Sequence, residues 1–158
     1  MRLKTLLALA TFATVGQLLP QDPSGGDPFL GTWLLDVDKS SFGVSPRLKS
    51  LTVEWRREGA GYRVASEGER RDGQPVRDTY MAIYDGKERP NPGGPWEFDT
   101  VANRVLDRFT REDSFTKGGK PYGVIRREIA ADGKQMKVVS TFYARGGEDR
   151  WVLILVRK

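Results

Sequence analysis

The 158 residues include no cysteine and no histidine. Disulfides, thiolate metal sites, thiol nucleophiles and Ser-His-Asp triads are thereby excluded, as are the commonest general base and metal ligand. Chemistry in this chain must therefore come from carboxylates, guanidiniums, hydroxyls and aromatic rings. Glu112 and Ser114 stand two apart on one extended segment, and Arg127 and Ser140 lie on the segments that follow. Residues two apart on a strand share a face, so turns of the right length would gather all four. A carboxylate and a guanidinium so placed can neutralise each other as a structural ion pair. Alternatively Arg127, with Ser114, Ser140 and Thr110, can meet the polar end of an amphipathic ligand. General acid-base catalysis needs two carboxylates converging in a pocket, and this face supplies chiefly Glu112. No glycine-rich loop leads into a helix, so no phosphate cradle is evident. An isomerase or hydrolase using Glu112, Arg127 and a tyrosine such as Tyr62 is the weaker alternative. No catalytic residue, metal or cofactor is assigned.

The elements that must position these groups are set out by glycine turns. From Leu48 onward, alternating segments are separated by Gly59-Ala60, Asp72-Gly73, Asp85-Gly86, Gly118-Gly119, Asp132-Gly133 and Gly146-Gly147. Such pairs favour two-residue hairpin turns with positive φ, and no amphipathic helix interrupts them. The expected fold is all-β, an antiparallel up-and-down barrel of about eight to ten strands. Two-residue turns also fix which residues face each other. Trp55 then falls opposite Val64, Val64 opposite Met81, and Tyr62 opposite Ile83. In the C-terminal half Arg127 meets Val138, Ile125 meets Ser140, Gly123 meets Phe142, and Phe142 meets Trp151. Carrying the face through Gly118-Gly119 puts Thr110, Glu112 and Ser114 inside, with Glu112 a diagonal neighbour of Arg127. The expected ligand-facing set is Trp55, Tyr62, Met81, Glu112, Ser114, Arg127, Ser140, Phe142 and Trp151.

The first strand carries a more specific signal. Phe29-Leu30-Gly31-Thr32-Trp33 is similar to the Gly-x-Trp strand that opens lipocalins, fatty-acid-binding proteins and bacterial secreted lipocalin-like domains. The resemblance implies a calycin-type barrel in which Trp33 closes the base beneath an arginine from the chain's end. Arg157 has the inner parity for that role, with Gly31 allowing close backbone approach. It also implies that an inward arginine receives the polar end of a lipid. The helical lid of fatty-acid-binding proteins has no counterpart, because Ser45-Pro46-Arg47 leads straight into another strand.

Residues 1–16 begin with Arg2 and Lys4 and continue into the apolar run Leu6 to Val15, the build of a secretory signal peptide and too short to span a bilayer. A flexible lead-in rich in proline and glycine is expected over 17–28, and the barrel domain over 29–158. Loss of Arg2 and Lys4 takes the net charge from +5 to +3. The remaining basic residues are interleaved with acidic ones, which suits a solvated exterior rather than a nucleic-acid face. An exported, periplasmic or extracellular protein is expected, binding a small apolar or amphipathic molecule without stable membrane insertion. The other reading is an envelope interaction module with a filled core. The apolar side chains Leu30, Leu34, Val152, Ile154 and Val156 are expected to form an outer patch suited to a homodimer. The run Pro90 to Pro95 reads as a long loop at the barrel's rim.

Overall fold

The structure, a computed structural model, describes residues 26–43, 47–91, 97–143 and 147–158. The expected signal peptide, the lead-in as far as residue 25, and most of the Pro90 to Pro95 run lie outside the described residues. Ten strands follow one another: β1 (Gly31–Ser41), β2 (Leu48–Glu58), β3 (Gly61–Arg70), β4 (Pro75–Ala82), β5 (Glu88–Pro90), β6 (Thr100–Val105), β7 (Thr110–Lys117), β8 (Lys120–Ile129), β9 (Gln135–Phe142) and β10 (Asp149–Arg157). They form one antiparallel sheet in the order β4-β3-β2-β1-β10-β9-β8-β7-β6-β5. Pairing of β1 with β10 wraps the sheet into an up-and-down barrel. One seam remains between β4 and β5, which follow each other in the chain but share no ladder. Asp85-Gly86, expected to close a hairpin there, instead carries the chain across, with the Gly86 amide donating to the Asn103 carbonyl at 2.9 Å.

The turns decide which side chains face inward. At Gly59-Ala60 a two-residue turn sets Trp55 opposite Val64 and Val53 opposite Ser66, and Gly59 has φ +54°. Across Asp132-Gly133 Arg127 meets Val138, Ile125 meets Ser140 and Gly123 meets Phe142. At both places the expected pairing is found. At Gly146-Gly147 the partners move by two, so that Trp151 meets Ser140 and Asp149 meets Phe142. An even shift keeps the same side chains inside.

Two odd shifts change the interior. Between β3 and β4 the loop holds three residues, Arg71, Asp72 and Gly73, with Arg70 donating to the Gln74 carbonyl at 2.9 Å and Gly73 at φ +84°. Val64 therefore meets Tyr80 rather than Met81, and Tyr62 meets Ala82 rather than Ile83. Between β7 and β8 the turn Gly118-Gly119 is the expected two-residue one, joining Lys117 to Lys120, but a β-bulge follows immediately. Tyr122 has no ladder partner in β7, so Phe115 meets Gly123 and Asp113 meets Ile125. Arg111, Asp113 and Phe115 are consequently buried, and Thr110, Glu112 and Ser114 turn to the outer face. The expectation of an inward Glu112 and Ser114 is thus overturned by one extra residue in β8.

The buried core includes Phe29, Trp33, Trp55, Val64, Met136 and Leu155, from the first strands and the last two. Its aromatic residues fall into two groups. Phe29, Tyr62 and Tyr84 surround Trp55 at 5.5 to 6.2 Å between ring centroids. At the other end Phe98 and Phe115 lie 4.7 Å apart, followed by Phe142 and Trp151. The outer patch is partly as expected. Leu34 faces Val156, and Val152 and Ile154 continue the row on β10, each half-buried. Leu30 departs from it and packs against the core, because the chain turns at Gly31, whose φ is +117°.

Candidate functional site

Between the two aromatic groups lies a layer of buried charge. Asp113 on β7 is 1% exposed and Arg127 on β8 is 7% exposed. Their side chains meet at 2.5 Å. The other Asp113 oxygen accepts a hydrogen bond from the Asn103 side-chain amide on β6 at 2.7 Å. The other terminal nitrogen of Arg127 donates across the interior to the Tyr80 hydroxyl on β4 at 3.0 Å. A buried charge is tolerated only when paired and hydrogen-bonded, and this chain of four side chains meets that condition. Burial alone would lower the Arg127 pKa, but the Asp113 carboxylate beside it, together with Tyr80 and Tyr84, more than offsets that and raises it. Burial likewise pushes the Tyr80 hydroxyl up to about 12, the Arg127 charge offsetting part of the rise.

This layer forms one wall of a cavity of about 70 Å³. Asp78, Tyr80, Asn103, Asp113 and Arg127 give it a polar side, and Phe98, Val101, Phe115, Ile125 and Phe142 an apolar one. Its lining runs from β4 to β6, so it sits beside the seam where the sheet is unpaired. The volume suffices for several waters or a short aliphatic group, well below the few hundred cubic ångströms of a drug-sized pocket.

A second polar cluster closes the opposite end. Arg111 on β7 is 4% exposed and its guanidinium lies over the rings of Phe29 and Tyr62 at 4.2 Å, with Tyr84 at 4.7 Å and Trp55 at 5.5 Å. Arg111 donates to the Asp27 carboxylate and, at 3.1 Å, to the Tyr62 hydroxyl. Tyr62 in turn donates to Asp27 and accepts from Arg57 at 2.7 Å. The Phe29 amide donates to the same carboxylate at 3.0 Å. Burial raises the Asp27 pKa, but Tyr62, Phe29 and Arg111 more than offset this and hold it below the usual carboxylate range. The Tyr62 hydroxyl moves up through burial and its bond to Asp27. Asp27 and Pro28, expected in the flexible lead-in, are therefore docked parts of the barrel.

Of the residues expected to face a ligand, Arg127 and Phe142 line the cavity. Met81 reaches it from the free edge of β4 and is 42% exposed, its strand having turned over at the three-residue loop. Trp55 stands behind Arg127, its ring 5.6 Å from the guanidinium. Ser140 is buried opposite Ile125, and Trp151 lies 6.3 Å from Phe142. Tyr62 belongs to the Arg111 cluster. Glu112, on the outer face, pairs with Arg126 at 3.3 Å rather than with Arg127, and Ser114 faces outward opposite Val124. At the base, Gly31, Trp33 and Arg157 come together, the guanidinium 4.3 Å from the Trp33 ring. Asp113, Asn103, Tyr80, Arg111 and Asp27 were absent from the expected set. Pro121 inside β8 is the signal that could have found the first and fourth, because proline within a sheet marks an edge or a bulge. Among the described residues no group of three carboxylates could hold a metal ion.

Ten antiparallel strands, next-neighbour connection and a buried interior with one seam define a calycin-type barrel. Solved structures with this fold match most of the chain. One is a Schistosoma mansoni fatty-acid-binding protein in complex with arachidonic acid, with TM-score 0.57 and 15% identity, covering 84% of this chain and 99% of that one. Another is a zebrafish ileal bile acid-binding protein complexed with cholic acid, with TM-score 0.53 and 14% identity, covering 83% and 99% respectively. At this identity the likeness is one of fold. No protein-family model and no curated protein sequence matches the chain.

Proposed function

We propose that the protein binds a small amphipathic molecule, its polar end on Arg127 and Tyr80 and its apolar part among Phe98, Phe115, Ile125 and Phe142. The observation that carries this reading is a cavity joining a buried guanidinium to aromatic walls beside an unpaired seam. It gains support from the ligands of the two similar structures, both organic acids with large apolar bodies. Trp55, Ser140 and Trp151 form the shell behind the contact residues, and Met81 stands at the mouth. We further propose that the protein works outside the cytoplasm, on the strength of the leader-like residues 1–16. The test is a titration of tryptophan fluorescence with 1-hexanol. Saturable quenching is expected, and Ile125→Trp, which fills the cavity, should remove it.

The small cavity volume favours a second reading, an interaction module whose interior is essentially filled. Its docking face would be the row Leu34, Val152, Ile154 and Val156, through which a homodimer could also form. In that case no quenching by hexanol saturates, and sedimentation shows a dimer that Ile154→Lys dissociates.

A further inference from the structure

The residues just before β1 are held in an unusual way for a chain leading into a barrel. Asp27 presents its carboxylate to Arg111, Tyr62 and, at 3.5 Å, Arg57. Two residues later the Phe29 ring is fully buried and lies 5.5 Å from Trp55. A carboxylate on a pair of guanidiniums and a phenol, followed by an apolar ring in an aromatic nest, has the plan of a bound amphipathic acid. Two features mark the receiving groups as a site for an anion. Arg111 is buried in a shell of rings, and its Nε and Nη1 have no hydrogen-bond partner, nor has the neighbouring Trp55 Nε1. Without Asp27, that buried guanidinium would lack a countercharge. The occupant belongs to the chain and is joined to β1 through Leu30, with the Pro28 carbonyl accepting from Arg157 at 2.7 Å.

We infer that Arg57, Tyr62 and Arg111 form a carboxylate site that the chain's own Asp27 and Phe29 occupy, and that a free arylalkyl carboxylate takes their place. The inference deepens the binding function proposed above by naming a ligand class, but it lies at a different end of the barrel and stands on different residues. Tethering gives Asp27 a high effective concentration, so a competitor needs both the acid and the apolar group. An acid alone replaces only half of the contacts.

The experiment uses the full chain carrying Asp27→Ala with Phe29→Ala, which empties both halves of the site, with 3-phenylpropionate, 3-phenylpropanol and acetate as probes and thermal melting as readout. A ligand that binds only the folded state raises its stability as its occupancy rises. Millimolar 3-phenylpropionate is expected to raise the melting midpoint of the double variant by several degrees more than that of the unsubstituted protein. Acetate and 3-phenylpropanol should each act weakly. Adding Arg57→Gln should reduce the rescue. Should the double variant fail to fold, Asp27→Asn with Phe29→Leu serves in its place. In the unsubstituted protein, 3-phenylpropionate should accelerate hydrogen exchange at the Phe29 amide. No rescue, equal rescue by the alcohol, or an unaltered Phe29 amide overturns the inference. Hexanol quenching that persists alongside such a result would leave the cavity reading intact, whereas its loss with a successful rescue would overturn that reading alone.

Discussion

The guanidinium of Arg157, next to the end of the chain, lies 4.3 Å from the centroid of the Trp33 ring near its start. The same group donates to the carbonyls of Pro28, Leu30 and Gly133 at 2.7, 2.8 and 2.8 Å. It therefore ties the lead-in, the first strand and the β8–β9 turn to β10. Gly31 makes room for it. A β-carbon there would stand 3.0 Å from Arg157 Nη1, on a backbone at φ +117°.

Chemical unfolding in urea should expose this arrangement. A double-mutant cycle combining Trp33→Leu with Arg157→Met is expected to give a coupling of about 1 kcal/mol, as a cation over an aromatic face does. Gly31→Ala should cost roughly 1–3 kcal/mol through backbone strain alone, even in a protein that already lacks the arginine.

The two neighbouring carboxylates on β7 should behave oppositely. Removal of Asp113 leaves Arg127 buried without its partner, and Asp113→Ala is expected to destabilise the fold by about 3–5 kcal/mol. Glu112 forms an outer pair with the half-exposed Arg126, so Glu112→Ala should change stability by no more than about 1 kcal/mol. Equilibrium denaturation of the two variants side by side reads the register of the strand directly.

Acid should loosen the barrel through Asp27. Its native pKa is depressed relative to an unfolded value of about 3.9, so its contribution is complete above roughly pH 4. That contribution disappears as the pH falls through the depressed native value, where the carboxylate takes up a proton. Melting midpoints measured from pH 6 to pH 2 should fall less steeply in Asp27→Asn than in the unsubstituted protein.

Alkali should act through Tyr80. Its hydroxyl is raised to about 12 in the folded state, whereas an unfolded tyrosine titrates near 10. The neutral hydroxyl therefore stabilises the fold fully below about pH 10, and that benefit is lost as the pH climbs through 12. Tyr80→Phe should cost about 1–3 kcal/mol at neutral pH by leaving an Arg127 donor unpaired. The same change should flatten the decline in melting midpoint between pH 10 and pH 12.

Architecture was legible in the sequence because hairpin turns are local. Gly59-Ala60, Gly118-Gly119 and Asp132-Gly133 each carry the residues their geometry requires, and the Gly-x-Trp stretch marks the strand that meets β10. The site was less legible because facing depends on parity, which one residue reverses. Arg71-Asp72-Gly73 accommodates a third loop residue and brings Tyr80 inside in place of Met81. Pro121-Tyr122-Gly123 carries the bulge that exchanges Glu112 for Asp113. The shift at Gly146-Gly147 spans two residues, and Phe142 and Trp151 keep their side. Asp27 was out of reach for another reason. Its partner Arg111 is 84 residues away, and no short-range pattern in a proline- and glycine-rich segment announces such a contact.

Tyr122 makes the end of β8 tolerant of a change in chain length. Its deletion would join Pro121 to Gly123 and leave Thr116 opposite Pro121, Phe115 opposite Gly123 and Asp113 opposite Ile125, so that Glu112 and Ser114 stay outside. A lineage of such barrels could therefore lose this codon and keep the same inner lining.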